Sequence, residues 1–578
     1  MRAPRNAVPA FCTAALLTLL AWPNFAAAQL PQQPKTRPPL NAKLAAAVMA
    51  DAASQAQADA DKYSTPAGTW QPLTHQPQFS DIVDPSTGID YGPPGMVAPV
   101  LLTDGTVLFQ DQNIVDTVDN NEDTRIFRLT PDIHGSYVNG TWSQLASKPF
   151  NTEAGAQAVL ADGRVLIEGG ENVGYSEVFA LSNNGEIYDP VTNTWATVNP
   201  PPFFIDEYSG PGFPANPIGD APSVVLPDGT FMMGDKMSPQ AALLNLKTMT
   251  WTQTGTSTKS DMNNEEGWTL LPNGEVLTVD CYNDYFFGLL PAYPANPTNS
   301  EIYNPATGAW SSAGSTINTL TDPELGEMGP GVLRPDGTVF AVGSEGDSSI
   351  YNTLTHRWSV GPTMPISPQG AQYTAQDAPG VLLPNGNVLF AASGGPETPF
   401  WFYYSAPPVG FFEFDGRKLI AEPTIPSAAY DLSQFVNLLV LPNGQVLATD
   451  NSLDVEIYTP GNTSHNPLWQ PSITSVPSHV RPGGSYELQG TLLNGMSQTC
   501  MFGDELQCAE NYPLVRITNL ETGHVFYSRT HDHSSMAVAS RRISSTHFDV
   551  PASQEKGLSK LVVVANGIAS SPVLVEVR

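Results

Sequence analysis

Val440-Leu441-Pro442-Asn443-Gly444-Gln445-Val446-Leu447 is the stretch whose reading decides the fold. An apolar run enters Asn-Gly and a second apolar run leaves it. This is a strong hairpin signal, because Asn and Gly tolerate the positive φ angles of a tight two-residue turn. The unit recurs as Asp-Gly or Asn-Gly at 104–105, 162–163, 228–229, 273–274, 336–337, 385–386 and 443–444. The seven copies are separated by 58, 66, 45, 63, 49 and 58 residues. A period of about 40–50 residues with four strands per repeat predicts propeller blades, and the longer intervals predict loop insertions.

A second repeat supports the first. Ile187-Tyr188-Asp189-Pro190-Val191-Thr192-Asn193-Thr194-Trp195 is echoed by Ile302-Tyr303-Asn304-Pro305 to Trp310. Weaker copies run from Ile350-Tyr351 to Trp358 and from Leu244 to Trp251. Each reads as strand, Asx-Pro turn, strand, with an aromatic at both ends to pack between blades. After Pro471 the rhythm changes to short alternating strands at Ile473–Pro477, Gly484–Leu488, Leu514–Ile517, Leu561–Val564 and Val573–Val577. About a hundred residues of this kind suit an immunoglobulin-like sandwich.

Composition bounds the functions. Lys and Arg number 25 against 56 Asp and Glu, a formal charge of −31. Such a surface repels phosphate backbones, and no basic patch interrupts it, so nucleic acid is not an expected partner. Arg2 and Arg5 precede an apolar run from Ala14 to Trp22, followed by Ala26-Ala27-Ala28. That is the pattern of a secretory signal peptide cleaved after Ala28, and the run is too short to span a bilayer. Export to a bacterial periplasm or beyond is expected, with no transmembrane segment. The expected organisation is a signal peptide over 1–28 and a Pro/Ala-rich leader or linker over 29–62. A seven-bladed propeller over 63–470 and a β-sandwich over 471–578 follow. In an exported chain, Cys500 and Cys508 are expected to pair as a local disulfide, leaving Cys281 as a buried, unreactive thiol.

The Tyr-Asp-Pro-x-Thr-x-x-Trp unit paired with Leu-Pro-Asp-Gly hairpins resembles kelch-type blades. Seven of them followed by a small sandwich resemble the galactose oxidase and glyoxal oxidase family of copper radical oxidases, across about residues 63–578. The resemblance implies a C-terminal early-set domain. It also implies a copper site with a second-blade tyrosine cross-linked to a first-blade cysteine, and a Tyr-His pair in the last blade. The matching positions hold Ala154, Met96 and Gln434-Phe435. None of these side chains binds copper or carries a radical. Only the early-set Thr-His has a match, at Thr530-His531. The copper-radical site is therefore expected to be absent, unless a loop such as Cys281–Tyr285 supplies substitutes.

Stepping back eight or nine residues from each turn reaches the residues before the innermost strands, at one mouth of the channel. Glu153, Asp220, Glu265, Glu327 and Asp377 stand there. Crowded carboxylates raise each other's pKa or bind a cation, and hard oxygen ligands favour Ca²⁺, with copper the weaker candidate. His531 and His533, two apart on a strand, could ligate a metal together if their loop reaches the channel. Trp268, Tyr282, Tyr285, Phe286 and Phe287 could line a sugar cleft or fill the inter-blade core. The leading reading is a secreted protein that binds a glycan or other extracellular polymer at this mouth. Open alternatives are a copper-dependent carbohydrate or alcohol oxidase with altered ligands, a carboxylate-dependent hydrolase or lyase, and a structural envelope protein.

Overall fold

A computed structural model describes residues 67–79, 82–83, 90–92, 95–112, 124–150, 154–170, 181–204, 218–281, 298–322, 326–395, 406–502 and 509–578. The expected signal peptide, the leader, Glu153, Cys508 and the loop aromatics from Tyr282 to Phe287 lie outside the described residues. The pairing expected for Cys500 and Cys508 therefore does too.

The architecture is all-β, a seven-bladed propeller followed by a second β-unit. Blade 1 comprises Gly95–Leu101, Val107–Gln112, Ile126–Thr130 and Thr141–Gln144, paired in that order. Blades 2 to 6 repeat the meander from inner strands Ala156–Val159, Ser223–Val225, Thr269–Leu270, Gly331–Leu333 and Pro379–Leu382. These first strands lie against one another around the hub. Blade 7 is closed from far away. Its inner strands Asn437–Val440, Val446–Thr449 and Glu456–Thr459 take their fourth partner from Thr69–Pro72. The register sets Trp70 opposite Tyr458, as Trp195 stands opposite Tyr188, Trp310 opposite Tyr303 and Trp358 opposite Tyr351. Ring centroids in these pairs are 4.9–5.3 Å apart, and all four tyrosines are buried.

The hairpins correct one sequence expectation. In each turn only the glycine has positive φ, from +78° at Gly105 to +87° at Gly229 and Gly386, while the Asp or Asn does not. The N–H of Gly105 bonds the carbonyl of Leu102 (2.9 Å), and the N–H of Leu102 bonds the carbonyl of Thr106 (2.8 Å). This is a three-residue loop, a type I turn ending in a left-handed glycine, rather than a two-residue turn. The Asp or Asn acts through its side chain. Its Oδ1 accepts the N–H two residues on, at 2.9–3.1 Å in all seven copies.

The second unit is one hydrogen-bonded sheet of nine strands, from Ser472–Ser475 to Val573–Val577, wrapped over its own core of Leu488, Val515, Ile517, Phe548, Leu561, Val563 and Val575. It docks on the face that carries the Asp/Asn-Gly turns. The N–H of Thr530 bonds the carbonyl of Thr103 (3.2 Å), that of His533 bonds Ala161 (2.9 Å) and that of Met536 bonds Pro227 (3.0 Å). Cys500–Phe502 leaves this unit and pairs antiparallel with Pro379–Leu382 on its hub side. Its neighbours are the inner strands of blades 5 and 7. The channel is thus occupied by backbone behind the mouth.

Candidate functional site

The mouth opposite the docked sheet is built by the residues that lead into the inner strands. Glu265 and Asp377 occupy the same repeat position, eight residues before Asn273 and Asn385, as does Ala154 before Asp162. All three have left-handed backbone, with φ of +55°, +44° and +48°. A non-glycine residue adopts this region at a cost of about 1–2 kcal/mol, so the surrounding structure must hold it there. Met328 of blade 5 fixes Asp377 by accepting its N–H at its carbonyl (3.1 Å).

The outcome is convergence. One carboxylate oxygen from each of Glu265, Glu327 and Asp377, on blades 4, 5 and 6, lies within 4.8 Å of the others. Asp220 of blade 3 joins through Lys236, whose Nζ donates to Asp220 Oδ2 and to Glu265 Oε1. All three of these side chains are at least nine-tenths buried. Burial raises the Glu327 carboxyl well above its ordinary range, and the neighbouring Asp377 and Glu265 charges, with a hydrogen bond to Asp377, raise it further. Burial and the negative charge beside it therefore favour the protonated form of Glu327. The site offers one ammonium, one carboxylic acid and carboxylate oxygens. Neither group of candidate metal ligands among the described residues includes histidine or cysteine.

His531 and His533 are not part of this assembly. They sit on the opposite face, beside the turns. His531 lies between Asp532 (Nδ1, 2.8 Å) and Asp549 (Nε2, 3.2 Å). His533 is buried against Thr546 (2.9 Å), and burial drives its pKa down to about 3, which leaves it neutral. Their loop does not reach the channel mouth, because the strand Val525–His531 is tied to the blade 1 and blade 2 turns. Trp268 is fully buried and donates to Glu266 Oε2 (3.2 Å), a core role rather than a cleft wall. Cys281 is fully buried, and burial pushes its thiol well up.

Two lysines were not singled out by the sequence. Lys236 follows Phe231–Asp235, a fully buried strand, and a lysine at the end of such a run is the one local signal that it must find carboxylates. Lys259 heads a second buried group between blades 3 and 4. It pairs with Asp261, Glu266 (2.7 Å) and Glu301 (2.9 Å), with Asp280 close by. Four carboxylates around one ammonium cannot all ionise, and burial raises Glu266 to about 8.

No protein-family model matches this sequence, and no curated protein matches it. Among solved structures, a fungal alcohol oxidase of the AA5 family in complex with copper is similar at 13% identity. That match covers 89% of this chain and 100% of the oxidase, with a TM-score of 0.46. Virginiamycin B lyase from Staphylococcus aureus is similar at 10% identity over 68% of this chain and 98% of the lyase, with a TM-score of 0.39. At these values the likenesses say nothing about chemistry.

Proposed function

We propose that this chain is an exported propeller protein of galactose-oxidase-like build, without the copper-radical site, that binds a glycan or other extracellular polymer at the carboxylate-lined mouth. The carrying observation is the convergence of Glu265, Glu327 and Asp377 within 4.8 Å, with Lys236 beside them. Carboxylate oxygens accept from sugar hydroxyls, the ammonium and the protonated Glu327 donate, and the channel behind is filled by Cys500–Phe502. An oxygen-only donor set suits a hard cation such as Ca²⁺ and lacks the thiolate, phenolate and imidazole ligands that copper chemistry needs.

Affinity electrophoresis of the purified chain against a panel of soluble polysaccharides tests the reading. At least one polymer should retard the parent, and Glu265→Ala and Asp377→Ala should each abolish retardation. Polymer binding that survives both substitutions, or stoichiometric copper with a radical absorption band, sinks it. One observation favours a second reading. A protonated Glu327 hydrogen-bonded to Asp377 is a general acid next to a base, the pair that a polysaccharide hydrolase or lyase needs. In that case the parent shortens the bound polymer and Glu327→Gln binds without cleaving.

A further inference from the structure

Two groups of three carboxylates bring oxygens within 4.8 Å of one another among the described residues. In one of them, Asp261, Asp280 and Glu301, an ammonium already stands, because Lys259 Nζ bonds Asp261 and Glu301 (2.9 Å to the latter). The mouth group of Glu265, Glu327 and Asp377 is built differently. Lys236 bonds Glu265 at the edge of that group and Asp220 outside it. Glu327 and Asp377 are partly exposed, so the group can be reached from solvent.

The repeat adds an independent sign. Asn264, Glu327 and Gln376 share one repeat position, nine residues before Asn273, Asp336 and Asn385 on blades 4, 5 and 6. Each carries a buried oxygen that has no hydrogen-bond partner: Asn264 Oδ1, Glu327 Oε2 and Gln376 Oε1. Asn264 is 4% exposed and Gln376 2%. Buried polar atoms are nearly always paired, so three such oxygens on consecutive blades need a common explanation. Glu265 and Asp377 follow the two amides directly in the chain. A hydrogen-bond donor or a cation satisfies oxygens of this kind, but only a cation also offsets three converging carboxylates.

We propose that Glu265, Glu327 and Asp377 hold one divalent cation of the calcium class, with Asn264 and Gln376 adding neutral oxygens beside it. Ca²⁺ lies about 2.3–2.6 Å from each oxygen ligand, so ligands on opposite sides of it stand about 5 Å apart. Carboxylate oxygens within 4.8 Å of one another can therefore share it. Ca²⁺ takes about six to eight oxygens, which leaves positions for a pair of hydroxyls on a polysaccharide. Polymer binding then runs through the ion. That role rests on the mouth being the polymer site, whereas the ion site itself does not.

The full chain, stripped with a chelator and titrated with CaCl₂ in a calorimeter, tests the ion site. The parent should bind calcium, and Glu327→Gln and Asp377→Asn, which keep side-chain size, should each weaken binding at least about tenfold. Cooperative thermal melts in chelator establish that both variants fold. Affinity electrophoresis of the parent in CaCl₂ and in chelator tests the ion's role, and retardation by a polymer should require calcium. Calcium binding that both substitutions leave intact overturns the proposal, as does a parent that takes up no calcium at millimolar concentration. Retardation that persists in chelator overturns the ion's role in polymer binding. Calcium binding that is lost in both variants, with no polymer retarding the parent, upholds the ion site and sinks the polymer reading alone.

Discussion

Lys236 is the residue on which the mouth turns. It is 2% exposed and holds two carboxylates, Asp220 and Glu265, that would otherwise repel one another out of water's reach. Lys236→Met should cost about 3–5 kcal/mol at neutral pH, the usual penalty for removing one partner of a buried ion pair. Urea unfolding of the variant beside the parent measures the loss. Glu327 makes the mouth respond to pH. Its carboxyl is raised in the folded state, so it contributes stability below its unfolded pKa and loses it as pH rises through the folded value. Glu327→Gln keeps the shape without the titration, so its stability relative to the parent should increase with pH.

At the scale of elements, the hairpin glycine is required by backbone conformation, and packing decides how much each copy matters. Gly386 and Gly337 have nearly the same φ, +87° and +81°. A Cβ at Gly386 would meet the Trp469 ring at 2.7 Å, where the connection to the second unit crosses the turn. At Gly337 the nearest atom is the Thr353 hydroxyl at 3.4 Å. Gly337→Ala should therefore lose about 1–2 kcal/mol from backbone strain alone, and Gly386→Ala distinctly more. Denaturation midpoints that coincide for the two variants would show that the Trp469 contact is not rigid. The blade closure carries a similar argument. Trp70 lies 4.8 Å from Phe411 and 4.9 Å from Tyr458, so Trp70→Ala opens the ring at its seam and should lower the thermal midpoint without altering the other blades.

Across the whole molecule the interior acids set the response to pH. Burial raises Glu266 and Glu510 to about 8, Glu456 to about 7 and Asp431 to about 6, and lifts Glu168 and Glu413 as well. Groups raised on folding stabilise at low pH, and that stability is lost as pH climbs through about 6 to 8. The lowered carboxyls, Asp132 and Asp549 among them, act the other way and lose their contribution only below the ordinary carboxylate range. Calorimetric melting should accordingly peak near pH 5 and fall steadily toward pH 9. Added salt should raise the midpoint most at high pH, because it screens a formal charge of −31. A midpoint that is flat from pH 5 to 9 would mean that these acids are not buried as described.

The amino-acid sequence alone determined the blade count, because each turn is written by a glycine that must be left-handed and an Asp or Asn that caps it two residues on. Those interactions span five residues, so they are visible without the fold, even though the exact turn is a residue longer than the pattern suggests. The Tyr and Trp of the repeat are legible for the same reason. Only the tertiary structure decided that Trp70, almost four hundred residues from Tyr458, completes the last blade, that Cys500–Phe502 fills the hub, and that Lys236 rather than His531 meets the mouth carboxylates. These depend on which ends of distant strands meet. The direction of a buried charge is set by its nearest partner in space, and no local pattern specifies that partner.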